Sequence, residues 1–251
     1  MDPTYVRMEV EDKVATVTIH RPDKRNALSP EVLEEIEQTF AGLDRREDVH
    51  VAVLTGGEKY FSAGFDLRFI RTLSIGSNQA FTDRFHRAYR SILFCQVPVI
   101  AAVGGPAIAG GFDLTLMCDI RYASDRARFG QREIALSLTP LLDPLWRIVG
   151  MGRAKELALT GRIYDAGEAE RMGYVSKVFP EGELLSSVRE IARTMASYDR
   201  ACLAETKRLS HHLLHHDLDG AMRVQEWLFR SWIGADDNRA RVDGLLESLR
   251  K

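Results

Sequence analysis

The sequence predicts an α/β core followed by an all-helical C-terminal region, on three observations. The segments VHVAVLTG (49–56) and PVIAAVGG (98–105) are apolar almost throughout and close on glycine pairs, as strands covered on both faces do. Amphipathic stretches of helical length separate these strands in the first half of the chain. From about Gly150 the texture is mostly helical, with YVSKVF (174–179) as a late strand. Strands alternating with helices, then helices alone, place the core at residues 1–195 and the helical region at 196–251.

The elements follow in order. YVRMEV (5–10) and KVATVTIH (13–20) alternate apolar and polar positions around Glu11-Asp12 and predict a β-hairpin. RPDKRNALS (21–29) is a loop, after which Ser29 is positioned as an N-cap and Pro30 as the first helical residue. The strand at 49–56 comes next. KYFSAGFDLRFI (59–70) reads as an apolar strand end, a Ser-Ala-Gly break and a helix starting near Asp66. A long amphipathic helix runs from about Asn78 to Phe94, ahead of the strand at 98–105. GGFDLTLMCD (110–119) is a short helix and IRYASDRARFG (120–130) a strand pair. RAKELALTG (153–161) and DAGEAERMG (165–173) are helical, and four helices follow near 181–198, 199–215, 217–233 and 236–250. The last of these carry Met222, Val224, Trp227, Leu228, Trp232, Val242, Leu245, Leu246 and Leu249, more apolar surface than helices without a sheet can hide alone. That surface predicts burial against the core or, in preference, oligomerisation.

Composition narrows the function classes. A chain of 251 residues that is 45% hydrophobic can bury a full core and is not disordered. The 34 basic and 36 acidic residues are well mixed, with a formal net charge of -2, so no field of one sign points to nucleic acid or a membrane surface. Cys95, Cys118 and Cys202 show no zinc-site spacing and leave an odd thiol, which suits a reducing compartment. The N-terminus has early acids and no apolar run, and no segment reaches membrane-spanning length, so the expectation is a cytoplasmic protein.

Two turns carry the chemistry. Ser62-Ala63-Gly64 and Ala109-Gly110-Gly111 each follow an apolar strand and precede a helix. Such a turn leaves backbone N–H groups without ladder partners at the positive end of a helix. Either one alone is an ordinary strand-to-helix loop. Together they offer a pair of peptide donors, which is what an acyl or thioester oxyanion requires, at roughly 3 kcal/mol per donor in the transition state.

The segments FSAGFDL, AGGFDLTLMCDIRYAS, ARFGQREIAL, RAKELALTG and AERMGYVSKVFP occur in an order and spacing that resembles the crotonase, or enoyl-CoA hydratase/isomerase, superfamily, from about residue 5 to the C-terminus. The resemblance implies a ββα spiral core with an acyl-CoA site, a helical C-terminal trimerisation region, and a homotrimer or a hexamer built as a dimer of trimers. It implies no tightly bound cofactor, coenzyme A entering as part of the substrate. By position, the oxyanion hole comprises the backbone N–H groups of Phe65 and Gly110, and the catalytic carboxylates are Asp113 and Glu133. Two carboxylates suit hydration of a conjugated thioester, in which water loses a proton and the α-carbon gains one. Asp113 departs from the hydratase pattern, which has Glu there, and reaches about one methylene less far. The resemblance also assigns Lys24, Arg25, Ala27, Ala63, Asp66 and Arg68 to coenzyme A, and Phe65, Leu141, Leu142 and His86 to the acyl pocket.

Other features are weighed against this reading. SLTPLLDPLW (137–146) replaces the family's Gly-rich turn, with Asp143 read as an N-cap ahead of Pro144 and alternatively as an extra acid at the pocket. His86 fits a surface or interface position as well as a pocket one. HHLLHH (211–216) lacks the carboxylates or cysteines that would frame a metal site, so no metal is expected. The spacing of GGPAIAGG does not match a dinucleotide fingerprint. The leading expectation is an enoyl-CoA hydratase-like lyase. An isomerase, a C–C or thioester hydrolase on the same fold, and a non-catalytic acyl-CoA binder stay open as alternatives.

Overall fold

The computed structural model describes residues 4–213 and 217–249. Strands β1 (Val6–Glu11) and β2 (Val14–Ile19) form the antiparallel hairpin, its turn placing Asp12 and Lys13 at φ 51° and 64°. The chain continues through α1 (Pro30–Leu43), β3 (Val51–Thr55), α2 (Leu67–Ile70), α3 (Gln79–Leu93) and β4 (Val99–Val103). Then come β5 (Ala107–Ile108), α4 (Gly110–Leu116), β6 (Ile120–Ser124), β7 (Arg128–Gly130), α5 (Leu145–Val149) and α6 (Met151–Thr160). The remainder is β8 (Tyr164–Asp165), α7 (Ala166–Arg171), β9 (Lys177–Phe179), α8 (Leu184–Ala196), α9 (Arg200–Leu213), α10 (Leu218–Trp232) and α11 (Asp236–Ser248). The main sheet has the order β1-β2-β3-β4-β6-β9, parallel beyond the first hairpin, and a smaller sheet joins β5-β7-β8.

The near-continuous apolar strands are explained by cover on both faces. In β3, Ala52 and Leu54 face the larger core with Val32, Leu33, Ile36 and Phe40 of α1, whereas Val51 and Val53 face a second core. That second core is closed by Leu184, Val188 and Ala192, spaced four apart on α8. Each buried Leu or Val here contributes roughly 1.5–3 kcal/mol. Helix α3 lies on α1 and is held in register by Arg84–Glu34 and Arg87–Glu37 ion pairs of 2.6 and 3.1 Å.

Several expectations shift in detail. The strands within 120–130 do not pair with each other: β6 belongs to the main sheet, and β7 pairs with β5 and β8. At two residues each, β5 and β8 are too short to show a period in sequence. Ser29 occupies the N-cap of α1, but its hydroxyl donates to Glu31 at 2.6 Å rather than accepting a helix amide. Asp143 is not an N-cap: α5 starts at Leu145, and the Asp143 carboxylate binds the Arg147 guanidinium at 2.8 and 2.9 Å.

The chain divides into two compact units, Met1–Ala204 and Glu205–Lys251. In the second, Asp217 caps α10 by accepting from the Gly220 amide at 2.8 Å. Met222, Trp227 and Phe229 of α10, Ile233 just after it and Leu245 of α11 stand exposed. Among the described residues no helix is long and apolar enough to cross a membrane.

Candidate active site

The first turn is built by Asn26 and Ser62. The Asn26 amide nitrogen donates to the carbonyls of Gly56, Tyr60 and Phe61 at 2.9–3.2 Å, and the Ser62 hydroxyl donates to the Asn26 carbonyl at 2.8 Å and accepts from the Gly64 amide at 3.2 Å. Gly64 then takes φ +89°, which an L side chain resists. Leu28 and Phe65 pair as a parallel bridge through Leu28 N–H to Gly64 O and Asp66 N–H to Leu28 O. In that pattern the Phe65 N–H points the other way, and no acceptor among the described residues takes it.

The second turn abuts the first. The Ala109 amide donates to Gly130 O at 2.8 Å, the Asp113 amide closes onto Ala109 O at 3.0 Å, and Gly110 is the first residue of α4. Its N–H is therefore one of the orphan donors of a helix start. Ala109 takes φ 50° and ψ −125°, a conformation costly for any residue with a β-carbon and of the kind stored at functional sites. A β-carbon on Gly64 would lie 3.1 Å from the Gly110 nitrogen, and one on Gly111 would lie 2.3 Å from Ser62 O. Only glycine lets the two backbones approach so closely. The candidate hole thus presents two neighbouring amides, neither with an acceptor among the described residues.

Two carboxylates stand at this hole. Asp113, in the first turns of α4, is 5% exposed, and Glu133, opening a 3-10 turn at Glu133–Leu136 after β7, is 7% exposed. Asp113 Oδ1 and both Glu133 carboxylate oxygens are buried without hydrogen-bond partners among the described residues. Burial raises the proton affinity of Asp113 well above the usual carboxylate range, and the charge of Glu133 adds to it, while Gln131 and Tyr89 pull the other way. Burial raises Glu133 too, against its own backbone amide. Buried carboxyls with raised proton affinity, beside orphan amides, form an arrangement suited to moving protons next to a developing oxyanion.

The remaining expected residues divide. The Phe65 ring packs against Phe81 and Phe85 at 5.2 Å and stacks with Tyr89 at 6.5 Å, forming an aromatic wall beside Gly110. Leu141 and Leu142 are half-buried, and the Leu141 carbonyl accepts from Gln131 Nε2 at 2.6 Å, which ties their segment to the carboxylates. His86 is exposed and rests on the Phe85 ring at 4.4 Å; it is not brought among the rings around Phe65. Lys24 and Arg25 are exposed on the loop before α1, with Arg25 in left-handed backbone at its tight turn. Ala63 donates its amide to Arg25 O at 3.0 Å, so the exposed Ala63 lies against that loop, and the Ala27 carbonyl accepts from Arg21 at 3.2 Å. Asp66 is engaged twice, capping α2 through the Arg68 amide at 3.0 Å and pairing with Arg21 at 2.8 Å; Arg68 itself is exposed.

Sequence reasoning missed Asn26, Gln131 and Tyr89. The first two give no local signal, since their roles depend on partners far along the chain. Tyr89 had one: with Phe81 and Phe85 it completes an aromatic stripe at intervals of four on α3. No group of metal-ligating side chains occurs among the described residues, and of the 211–216 histidine run, residues 214–216 lie outside them.

Comparison with known proteins places the chain in a family. The family model described as enoyl-CoA hydratase/isomerase matches residues 9–251. The short-chain-enoyl-CoA hydratase of Clostridium acetobutylicum is 34% identical over 251 residues, covering 98% of this chain and 96% of that one. The crotonyl-CoA hydratase of Syntrophomonas wolfei is 34% identical over 244 residues, covering 96% and 94%. The crystal structure of an enoyl-CoA hydratase from Bacillus anthracis superimposes with a TM-score of 0.94 at 28% identity, covering 98% of this chain and 97% of that one. A family model matching nearly the whole chain, relatives at 34% identity and a shared fold show that the chain belongs to the enoyl-CoA hydratase/isomerase family.

Proposed function

We propose that the protein adds water to a 2-enoyl-CoA thioester, giving a 3-hydroxyacyl-CoA. The observation that carries this reading is the pair of buried carboxylates Asp113 and Glu133, with Asp113 Oδ1 and both Glu133 oxygens taking no hydrogen bond among the described residues, beside the orphan amides of Phe65 and Gly110. The thioester oxygen accepts from both amides. Water forms the new C–O bond at the β-carbon and gives up a proton to a carboxylate. The π pair moves toward the thioester, where the amides hold the enolate charge, and the α-carbon then takes a proton from a protonated carboxyl, balancing the one that water gave up. Glu133 is the principal acid/base and Asp113 its partner in holding and activating water. Each carboxyl sits in an environment that favours holding a proton, so neither is locked as a permanent anion.

Coenzyme A lies along the loop of Lys24, Arg25 and Ala27 and the neighbouring Ala63, Asp66 and Arg68, with the cations at its phosphates. The Asp66 carboxylate acts there by holding Arg21 and α2 rather than by touching an anion. Phe65, Leu141 and Leu142 wall the acyl group. The exposed apolar faces of α10 and α11 support assembly as a homotrimer or a dimer of trimers, and the odd number of cysteines supports a cytoplasmic location.

The test is mass spectrometry of linear and cyclic enoyl-CoA esters incubated with the protein in heavy water. Gain of one water on the acyl group is expected. Deuterium uptake without added water would replace hydration by isomerisation, and release of free thiol would replace it by hydrolysis.

A further inference from the structure

One buried polar side chain beside the hole has no task in the reaction above. Tyr89 is 4% exposed, and its hydroxyl lies 3.4 Å from Asp113 Oδ2 and 3.3 Å from the Gly110 carbonyl oxygen. The ring is fixed from two sides: Phe65 stacks within 12° of parallel, and Phe85 lies 5.5 Å away. The ion pairs between α3 and α1 fix the backbone behind it. With the ring held, the O–H rotor is the free coordinate. A phenol carries one hydrogen and serves one of these acceptors at a time.

We propose that Tyr89 is a positioning residue for Asp113, its hydroxyl holding Oδ2 when Asp113 is ionised and turning to the Gly110 carbonyl when Asp113 is protonated. The choice follows from acceptor strength. An ionised carboxylate is a stronger acceptor than a peptide carbonyl, and a neutral carboxyl is not. Oδ1 takes no hydrogen bond among the described residues, so holding Oδ2 leaves Oδ1 as the oxygen presented to water. The shorter aspartate is thereby fixed in one orientation where the usual glutamate would reach further.

The groups facing Asp113 are Tyr89 from α3, Glu133 from its 3-10 turn, the uncharged Gln131 after β7, and Tyr174 after α7 at longer range. Burial, reinforced by the negative charges of Asp113 and Glu133, pushes the Tyr89 phenol well above its ordinary range, so the hydroxyl remains a donor. Loss of that donor costs the ionised state a charge-assisted bond and the protonated state only a neutral bond to the Gly110 carbonyl, so the ionised state loses more.

The role in turnover rests on the hydratase reading, whereas the hydrogen bond does not, and the experiment separates the two. The protein is labelled with 13C at aspartate carboxyls, and the Asp113 resonance is assigned by its absence in Asp113→Asn. In Tyr89→Phe the Asp113 titration midpoint should move to higher pH, and the matching limb of the kcat profile should move with it. kcat should fall about tenfold, with KM little changed. An unmoved midpoint in folded Tyr89→Phe overturns the proposal, as does an equal fold-loss on the Asp113→Asn background. Should Tyr89→Phe not fold, 3-fluorotyrosine at position 89, a stronger donor, must move the midpoint to lower pH; no movement overturns the proposal. Absence of hydration with a shifted midpoint would instead refute the hydratase reading and leave the Tyr89–Asp113 pair standing.

Discussion

Gly64→Ala tests whether the two turns work as one oxyanion hole. At φ +89° an L side chain costs roughly 1–2 kcal/mol. The new β-carbon would also stand 2.7 Å from the Ile108 carbonyl oxygen and 3.0 Å from the Ala109 β-carbon. Reaching ordinary contact at 3.4 Å requires the turns to part by 3.4 − 2.7 = 0.7 Å, and the first of these atoms is backbone that cannot swing aside. The productive window for a donor to an oxyanion, about 2.7–3.1 Å, is narrower than that displacement. One of the two amides is then lost to the transition state, at about 3 kcal/mol, or about a hundredfold or more in kcat. Steady-state hydration of a 2-enoyl-CoA ester, with thermal unfolding on the same preparation, measures both consequences. A folded variant with kcat within about threefold of the wild type would show that Phe65 and Gly110 are not the donors.

Glu133→Gln keeps the shape and removes the proton carrier, so kcat should fall about a hundredfold or more while CoA-ester affinity, read by calorimetry, stays near the wild-type value; normal turnover would end its assignment as acid/base. Burial and the Glu133 charge raise the proton affinity of Asp113 in the folded chain, so its contribution to stability is full below the unfolded carboxyl range, about pH 4, and is lost as pH rises through the higher folded value. Denaturant unfolding of Asp113→Asn should accordingly depend less on pH than the wild type and show greater stability at the alkaline end; parallel curves would contradict the buried carboxyl. For Asp66, burial alone would raise the carboxyl, but Arg21 and the Arg68 amide outweigh it. Asp66→Ala should remove about 2 kcal/mol, from the cap and the charge-assisted bond together, and lower Tm by about 4–8 °C. An unchanged Tm would mean that this pair is spectator geometry.

What the sequence determined by itself is what local pattern encodes. Period-two alternation showed the first hairpin and unbroken apolar runs showed β3 and β4, because side-chain direction follows backbone period. The glycine turns at Gly64 and Gly110 were legible for the same reason: a small-residue break between strand and helix leaves amides unpaired wherever it occurs. Only the tertiary structure decided that these two turns touch, since they are joined by the Ile108 amide donating to Ser62 O at 3.0 Å and by the Ser62–Ala107 bridge, between residues far apart in sequence. It also decided that IRYASDRARFG is divided between two sheets, that Asp143 binds Arg147 instead of capping a helix, and that His86 faces outward. Asp113 and Glu133 become unusual acids only once folding strips water from both and places one charge near the other, and Tyr89 meets Asp113 only because α3 is laid on α1. Proton affinity and orientation are properties of surroundings, and surroundings are assembled from residues that are neighbours in space rather than in sequence.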